Sequence, residues 1–254
     1  MISFSLPANR RRFVGPRLAL SLVILALFCG VVGLAWYPGL HWQMAGVSQQ
    51  LLILVGAVLV IGAGLSTLVY RPGKRGMTLD LVIIVLVELA AIAYVGSLLY
   101  ERRPQYLVFV IDRFQVVGAD QVTDYAYRFP ELDTSQLIGP ILVRAQFPDD
   151  PAERAAVKNG IFFDGHPDID IRPDHWYPWQ SGAPSVLAAA GSLSEFRARG
   201  DRHEAVVDKW LSAQKANADD YLVLPVGGKI SDATALVDPA TGYPVAMLDI
   251  DPWQ

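Results

Sequence analysis

The sequence is poor in cysteine and, over long stretches, in charge. Its single cysteine, Cys29, excludes an intramolecular disulfide, so any soluble part must be stable without a covalent cross-link. Two runs of 20 residues, 18–37 and 51–70, contain no charged side chain, and a third run that ends at Tyr100 is interrupted only by Glu88. About 20 residues, each rising 1.5 Å, match the roughly 30 Å hydrocarbon core of a bilayer. The sequence therefore predicts three transmembrane helices, at about 18–37, 51–70 and 80–100.

Two alternatives to retained membrane spans are weaker. Buried helices of a soluble protein are also apolar, but three successive runs of this length are typical of membrane spans. A cleaved signal peptide at 18–37 is disfavoured because the run is longer than a usual apolar core of about 7–15 residues, and no A-x-A site follows it. We therefore expect the first run to be retained.

Charge divides the chain into two unlike parts. Residues 1–103 carry nine Lys and Arg against three acids, whereas residues 104–254 carry 12 basic and 22 acidic side chains, a net charge of −10. Because the basic part is also the apolar part, the asymmetry indicates a membrane protein. The acidic part disfavours nucleic acid as a partner, since binding there depends on Lys and Arg.

The loops predict the orientation of the spans. Basic residues precede the first run and fill the loop between the second and third, while 38–50 contains no Lys or Arg. The positive-inside rule then places residues 1–17 in the cytoplasm. We expect a multi-pass protein in the lipid of the bacterial inner membrane, with a three-helix transmembrane domain at 18–103 and a periplasmic domain at 104–254. The basic residues that decide this are Arg10, Arg11, Arg12, Arg17, Arg71, Lys74 and Arg75.

The C-terminal part predicts an α+β domain with an antiparallel sheet. Short apolar runs rich in β-branched and aromatic residues indicate strands. A helix is expected from Pro151 to a stop at Gly160, with Asp149 or Asp150 as its N-cap, and a short helix is expected to begin at 119–122. Further helical pieces are expected after Pro184. The expected strands are 106–111, 140–147, 221–226, 233–237 and 243–250.

No motif in the domain predicts catalysis or a cofactor. Segment 164–175 holds six Asp and His side chains, but their spacing fits neither an EF-hand nor an H-x-x-x-H metal site. Asp249 and Asp251 form a D-x-D pair that is more typical of a solvated strand end than of acid–base chemistry. We therefore predict no catalytic residue, no cofactor and no metal ligand. A membrane-anchored periplasmic enzyme and an envelope sensor subunit remain the alternatives, the latter weakened by the shortness of the expected cytoplasmic segments.

Glu88 is the polar residue of greatest interest in the spans. A carboxylate near the middle of a spanning helix costs roughly 2.5–3.5 kcal/mol on insertion scales, so it should face protein or water. Ser21, Ser66 and Thr67 are possible hydrogen-bond partners within the chain; contact with a partner helix is the functional alternative. Small residues allow helices to approach closely. The candidate partner-binding residues of the spans are therefore Glu88, Gly56, Gly62, Gly64 and Ser66.

Four stretches of the chain resemble a known family. They are AWYPGLHWQMAGV, RRPQYLVFVIDRFQVV, IRPDHWYPW, and YLVLPVGGK with VDPATGYPVAMLDIDPW. In these stretches and in its layout, the chain resembles the type IV pilin accessory proteins of the TfpX/TfpZ family. The resemblance implies a non-enzymatic chaperone or modulator that binds the major pilin and aids its stability, assembly or surface display. Arg113 and Trp253 lie in matched stretches and join the candidate partner contacts; the oligomeric state is left open.

Overall fold

The computed structural model describes residues 8–69, 76–133 and 139–254. The α-helices in these ranges are α1 Ala8–Val31, α2 His41–Met44, α3 Val47–Leu59, α4 Ser66–Val69, α5 Met77–Glu101, α6 Pro151–Phe163, α7 Ala183–Ala189, α8 Leu193–Arg197 and α9 Asp201–Gln214. The strands are β1 Pro104–Val110, β2 Arg113–Gly118, β3 Ile141–Ala145, β4 Trp176–Pro178, β5 Gly191–Ser192, β6 Leu222–Gly227, β7 Ala233–Val237 and β8 Pro244–Leu248.

Three helical stretches are long and apolar enough to cross a membrane. They are Gly15–Trp36, Val47–Val69 and Leu79–Glu101, and they confirm the three predicted helices. The π-helical turn Val32–Trp36 extends α1, and a second π-helical turn, Val60–Leu65, joins α3 to α4. The basic segment 71–75, on which the predicted orientation depends, lies outside the described residues.

The C-terminal domain is built on one mixed sheet of eight strands within the described ranges. The strand order is β4-β3-β1-β2-β6-β7-β8, and the short β5 pairs with β6. The last three strands, β6, β7 and β8, pair antiparallel, as the sequence predicted for the sheet. β1 pairs with β3, and β2 with β6, in parallel. The α+β class is thus confirmed, while the two parallel pairs add to the expected antiparallel ones. Apolar runs alone do not specify strand order.

The central strand β1 is buried on both faces, which explains its apolar run from Tyr106 to Val110. Leu107 and Phe109 lie in a core cluster on one face, and Tyr106 and Val108 in a cluster on the other. Further along the sheet, a third cluster packs α8 and α9 against β6, β7 and β8. Alternate residues of one strand therefore contribute to separate cores.

The helix α6 begins where its sequence predicts and ends later. Asp150 accepts hydrogen bonds from the N–H groups of Ala152 and Glu153, both at 2.9 Å, and Pro151 occupies the first position. The expected stop at Gly160 is wrong: the helix continues to Phe163. Gly160 instead provides space, because a Cβ there would lie 2.7 Å from Nδ1 of His166.

The short helix predicted to begin at 119–122 does not form. After β2 the chain turns, and the N–H of Gly118 donates to Oε1 of Gln121 at 2.8 Å.

The chain forms two compact units. One comprises residues up to Ala35 together with Gly46–Glu101, and the other comprises Trp36–Ala45 together with Arg102–Gln254. The loop between the first two apolar helices, grouped with the spans in the sequence-based division, packs with the C-terminal domain.

Candidate functional site

Glu88 lies in a buried polar cluster between α1 and α5. Its side chain is almost fully buried, and Oε2 accepts a hydrogen bond from Nη2 of Arg17 at 2.5 Å. The hydroxyl of Ser21 lies 3.2 Å from each carboxylate oxygen and accepts a hydrogen bond from Nη1 of Arg17 at 2.8 Å. A buried charge is tolerated when it is paired and hydrogen-bonded. This cluster therefore satisfies Glu88 within the chain.

The expected partners of Glu88 are partly confirmed. Ser21 contacts it, whereas Ser66 is buried with its Oγ bonded to no described group. Arg17 was not predicted as a partner, because its position suits the cytoplasmic flank of the first span. Arg17 and Ser21 are four residues apart and so share one face of α1. A basic residue directly before an apolar run, with a long side chain able to reach along the helix, was the available signal.

Gly62 makes room for this cluster. It lies in the π-helical turn Val60–Leu65, and a Cβ there would collide with Oε1 of Glu88 and lie 3.3 Å from Oγ of Ser21. π-helical turns are rare and frequent at functional sites. The three apolar helices thus meet at the carboxylate of Glu88. Position 62 must be glycine there, because any larger side chain would collide with that carboxylate.

Gly56 and Gly64 have a different setting. Both are exposed, and a Cβ at either would meet nothing within 4 Å. Among the described residues, neither glycine is a contact between helices. They leave a shallow, small-residue surface on the second apolar stretch, which is open to another helix.

The loop 36–45 completes the core of the C-terminal domain. Met44, at the end of α2, is 2% exposed and lies in the cluster that contains Phe109 and Phe114. Its carbonyl accepts a hydrogen bond from the N–H of Ile230 at 2.9 Å. Burial lowers the pKa of His41, in the same loop, to about 4. A segment between two spans is therefore an integral part of the soluble fold.

Tyr37 shares this environment. It is 1% exposed, and burial, followed by the negative charge of Asp120, raises the pKa of its hydroxyl. Docking of the loop onto the domain was not predicted from the sequence. The one signal was the loop's content of large apolar and aromatic side chains, which is unusual for a solvated connection.

Arg113 and Trp253 are far apart in sequence but lie in contact. The guanidinium of Arg113 stacks 4.8 Å from the ring centroid of Trp253, and Nε1 of that ring donates to Asp232 at 3.0 Å. Asp112 pairs with Arg113 at 2.8 Å. Trp253 is 54% exposed. These residues therefore fasten the C-terminal segment to the β1–β2 hairpin and present an aromatic face to solvent.

Acidic side chains of the segment 164–175 stabilise the local fold through a turn cap and an ion pair. Asp168 caps a turn by accepting the N–H of Ile169 at 2.7 Å, and Asp174 pairs with Arg172 at 2.7 Å. Asp251 accepts the N–H of Trp253 at 2.9 Å. No group of three or more His, Cys, Asp or Glu side chains suited to a metal ion occurs among the residues that the structure describes.

The fold defines a class: a protein with three helices of membrane-spanning length and an α+β domain that includes the first interhelical loop. Among known proteins, the chain is similar to fimbrial assembly proteins of Dichelobacter nodosus. It is 25% identical over 231 residues to that of serogroup I, covering 86% of this chain and 88% of the relative. It is 23% identical over the same length to that of serogroup E1. That of serogroups C1 and C2 is 25% identical over 122 residues, 45% of this chain. Neither a protein-family model nor a solved structure matches the chain.

Proposed function

We propose that this protein is an inner-membrane accessory protein of type IV pilus assembly, of the TfpX/TfpZ kind, that binds the major pilin and aids its stability or assembly. The observation that carries the proposal is the similarity to fimbrial assembly proteins over 86% of the chain. A match of that extent includes residues of both compact units. The role is non-enzymatic.

The proposed topology has the N-terminus in the cytoplasm and the C-terminal domain in the periplasm. The basic residues before the first span and at 71–75 favour this orientation. The shared core of Met44 with Phe109 supports a different part of this topology, namely that loop and domain lie on the same side of the membrane, whichever side that is. Two apolar helices separate them in sequence, which returns the chain to that side.

The client surface that we propose is the small-residue face at Gly56 and Gly64. Both positions are exposed and open, whereas Glu88 is already satisfied by Arg17 and Ser21. A single-span helix is able to approach glycines closely and pack against them. Glu88, Gly62 and Ser66 then support this face from inside the bundle instead of meeting the client directly.

Photo-crosslinking in living cells tests the client and its site together. A photoreactive amino acid is placed at Gly56 or Gly64, with Leu86 of α5, which is 59% exposed, as the control position. We expect an adduct with the major pilin from the glycine positions and little from Leu86. If neither glycine position yields an adduct with any single-span pilin-like protein, the proposal is wrong.

A further inference from the structure

A basic groove lies at the end of β3, between the β1–β2 hairpin and α6. It has a volume of about 410 Å³, within the range of roughly 300–1,000 Å³ that is usual for ligand pockets. Its walls combine cations with apolar side chains, which sets it apart from the acidic surface of the domain. The lining residues that matter here are Ile111, Arg144, Phe147, Asp149, Arg154 and Lys158.

The cations of the groove are not paired with any of the described carboxylates. Within the part of the chain that the structure describes, neither Arg144 nor Arg154 nor Lys158 forms an ion pair with an acid. Elsewhere in the domain cations do pair with acids, among them Arg113, Arg172, Arg197 and Lys229. A group of cations left uncompensated in a domain of net charge −10 indicates a site for negative charge.

Asp149 does not neutralise the groove. Its carboxylate lines the same walls, but Oδ1 accepts a hydrogen bond from Nε2 of Gln146 at 2.9 Å. Three cations against one carboxylate leave the groove with a net charge of +2.

The cations are held in position before any ligand arrives. Arg144 stacks 5.4 Å from the ring of Tyr177, its Nη1 lies 3.3 Å from Oγ of Ser185, and its Nε is buried without a hydrogen-bond partner among the described groups. Arg154 donates to the carbonyls of Pro148 and Asp149, each at 3.0 Å. Pre-organised side chains lose less conformational entropy when a ligand binds.

Lys158 and Ile111 complete the groove. The ammonium of Lys158 lies 5.2 Å from the ring centroid of Phe147. Ile111 is 70% exposed and has a φ of 56°, a left-handed conformation that is unusual for a β-branched residue. The short bond from the N–H of Asp112 to the carbonyl of Val110, at 2.7 Å, holds this turn. The strained turn keeps an apolar side chain in solvent beside the cations, which is the kind of strain that binding sites retain.

We propose that this groove binds an acidic peptide segment of a partner protein, with a carboxylate between Arg144 and Lys158 and an apolar neighbour against Ile111 and Phe147. A lipid headgroup or a free phosphate would leave the apolar wall unused. A nucleic acid would extend from the groove onto the acidic remainder of the domain. The proposal deepens the proposed function, because it gives the chemistry of a partner contact, but its binding test is independent of pilus assembly.

The test uses the full-length protein in detergent and a fluorescein-labelled peptide of alternating glutamate and leucine, followed by fluorescence anisotropy. Lys158→Glu should weaken binding about tenfold, which corresponds to about 1.4 kcal/mol. Lys209→Glu, the same change of charge on the exposed face of α9, is the matched control and should leave affinity within about twofold. Thermal melts of both variants confirm that each remains folded.

Several results would refute the proposal that the groove binds an acidic peptide. They are equal loss of affinity in the two variants, equal binding of a lysine–leucine peptide, and complete displacement by inorganic phosphate, which would indicate a simple anion site. Failure here leaves the pilus role standing, since crosslinking from Gly56 and Gly64 tests that role separately. Conversely, specific peptide binding without a pilin adduct would support the peptide-binding groove and refute the proposed role in pilus assembly.

Discussion

The substitution Met44→Ala tests whether the loop 36–45 belongs to the core of the C-terminal domain. Met44 is 2% exposed and lies in the same cluster as Phe109, Phe114 and Trp179. Truncating a buried methionine to alanine costs about 2–5 kcal/mol, depending on how far the site collapses. We expect the lower end, about 2–3 kcal/mol, because α2 has four residues and is able to move inward and fill part of the cavity.

The assay is thermal unfolding of the full-length protein in detergent at a fixed scan rate, followed by tryptophan fluorescence. Trp176 and Trp179 are buried in the domain and report on its unfolding. For a domain of 150–250 residues, 1 kcal/mol shifts the Tm by about 2–4 °C. Met44→Ala should therefore lower the Tm by about 5–10 °C.

The matched control is Ile230→Ala, on the other side of the same contact. The N–H of Ile230 donates to Met44, but its side chain is 70% exposed, so the substitution keeps the hydrogen bond and removes little buried surface. We expect a change within about 0.5 kcal/mol. If Met44→Ala melts like the wild type, or if the two variants melt alike, the loop is not part of the core and the prediction is wrong.

Three further predictions concern the polar cluster and the loop. Glu88→Ala leaves Arg17 buried without its carboxylate and should cost about 3–5 kcal/mol in an SDS unfolding titration, while the double change of both residues to leucine should recover most of that loss. In the same titration, Gly62→Ala should destabilise the helices, whereas Gly64→Ala, with open space, should be neutral or stabilising by up to about 1 kcal/mol; equal effects would contradict the geometry. Because burial lowers the pKa of His41 from 6.5 to about 4, the unfolded state binds the extra proton first. Stability should then fall by up to about 3 kcal/mol between pH 6.5 and pH 4, and His41→Gln should flatten the dependence of the Tm on pH.

Local sequence signals predicted most of the secondary structure. The uncharged runs predicted the three apolar helices, because a run of that length without charge has few other stable settings. The apolar run at 106–111 predicted β1, and Asp150 with Pro151 predicted the start of α6. Gly160 was misleading, because a glycine inside a helix serves close packing as readily as it ends a helix, and the contact with His166 is not visible in a local pattern.

Contacts between distant segments were beyond these signals. Arg17 was counted as an orientation charge, and only the approach of α1 to α5 shows that it neutralises Glu88. The contact of Arg113 with Trp253 joins residues at opposite ends of the domain, and no local pattern specifies it. The parallel pairing of β1 with β3 was missed for the same reason, because no local pattern specifies which strands pair. Which side chains are buried together and which strands pair are determined only in the folded chain. Sequence periodicity indicates only which face of each helix or strand is apolar.

The shared core of loop and domain also constrains how the chain crosses the membrane. Residues of one core cannot lie on opposite sides of a bilayer, so an even number of crossings must separate Met44 from Arg102, and two helices of sufficient length lie between them. In a Cys29→Ser background, Gln43→Cys in the loop and Lys209→Cys in the domain, both exposed, should react with a membrane-impermeant maleimide from the same side. Loop charges predict that this side is the periplasm. Labelling of the two positions from opposite sides would contradict the shared core itself, whereas labelling of both from the cytoplasm would overturn the orientation and leave the fold intact.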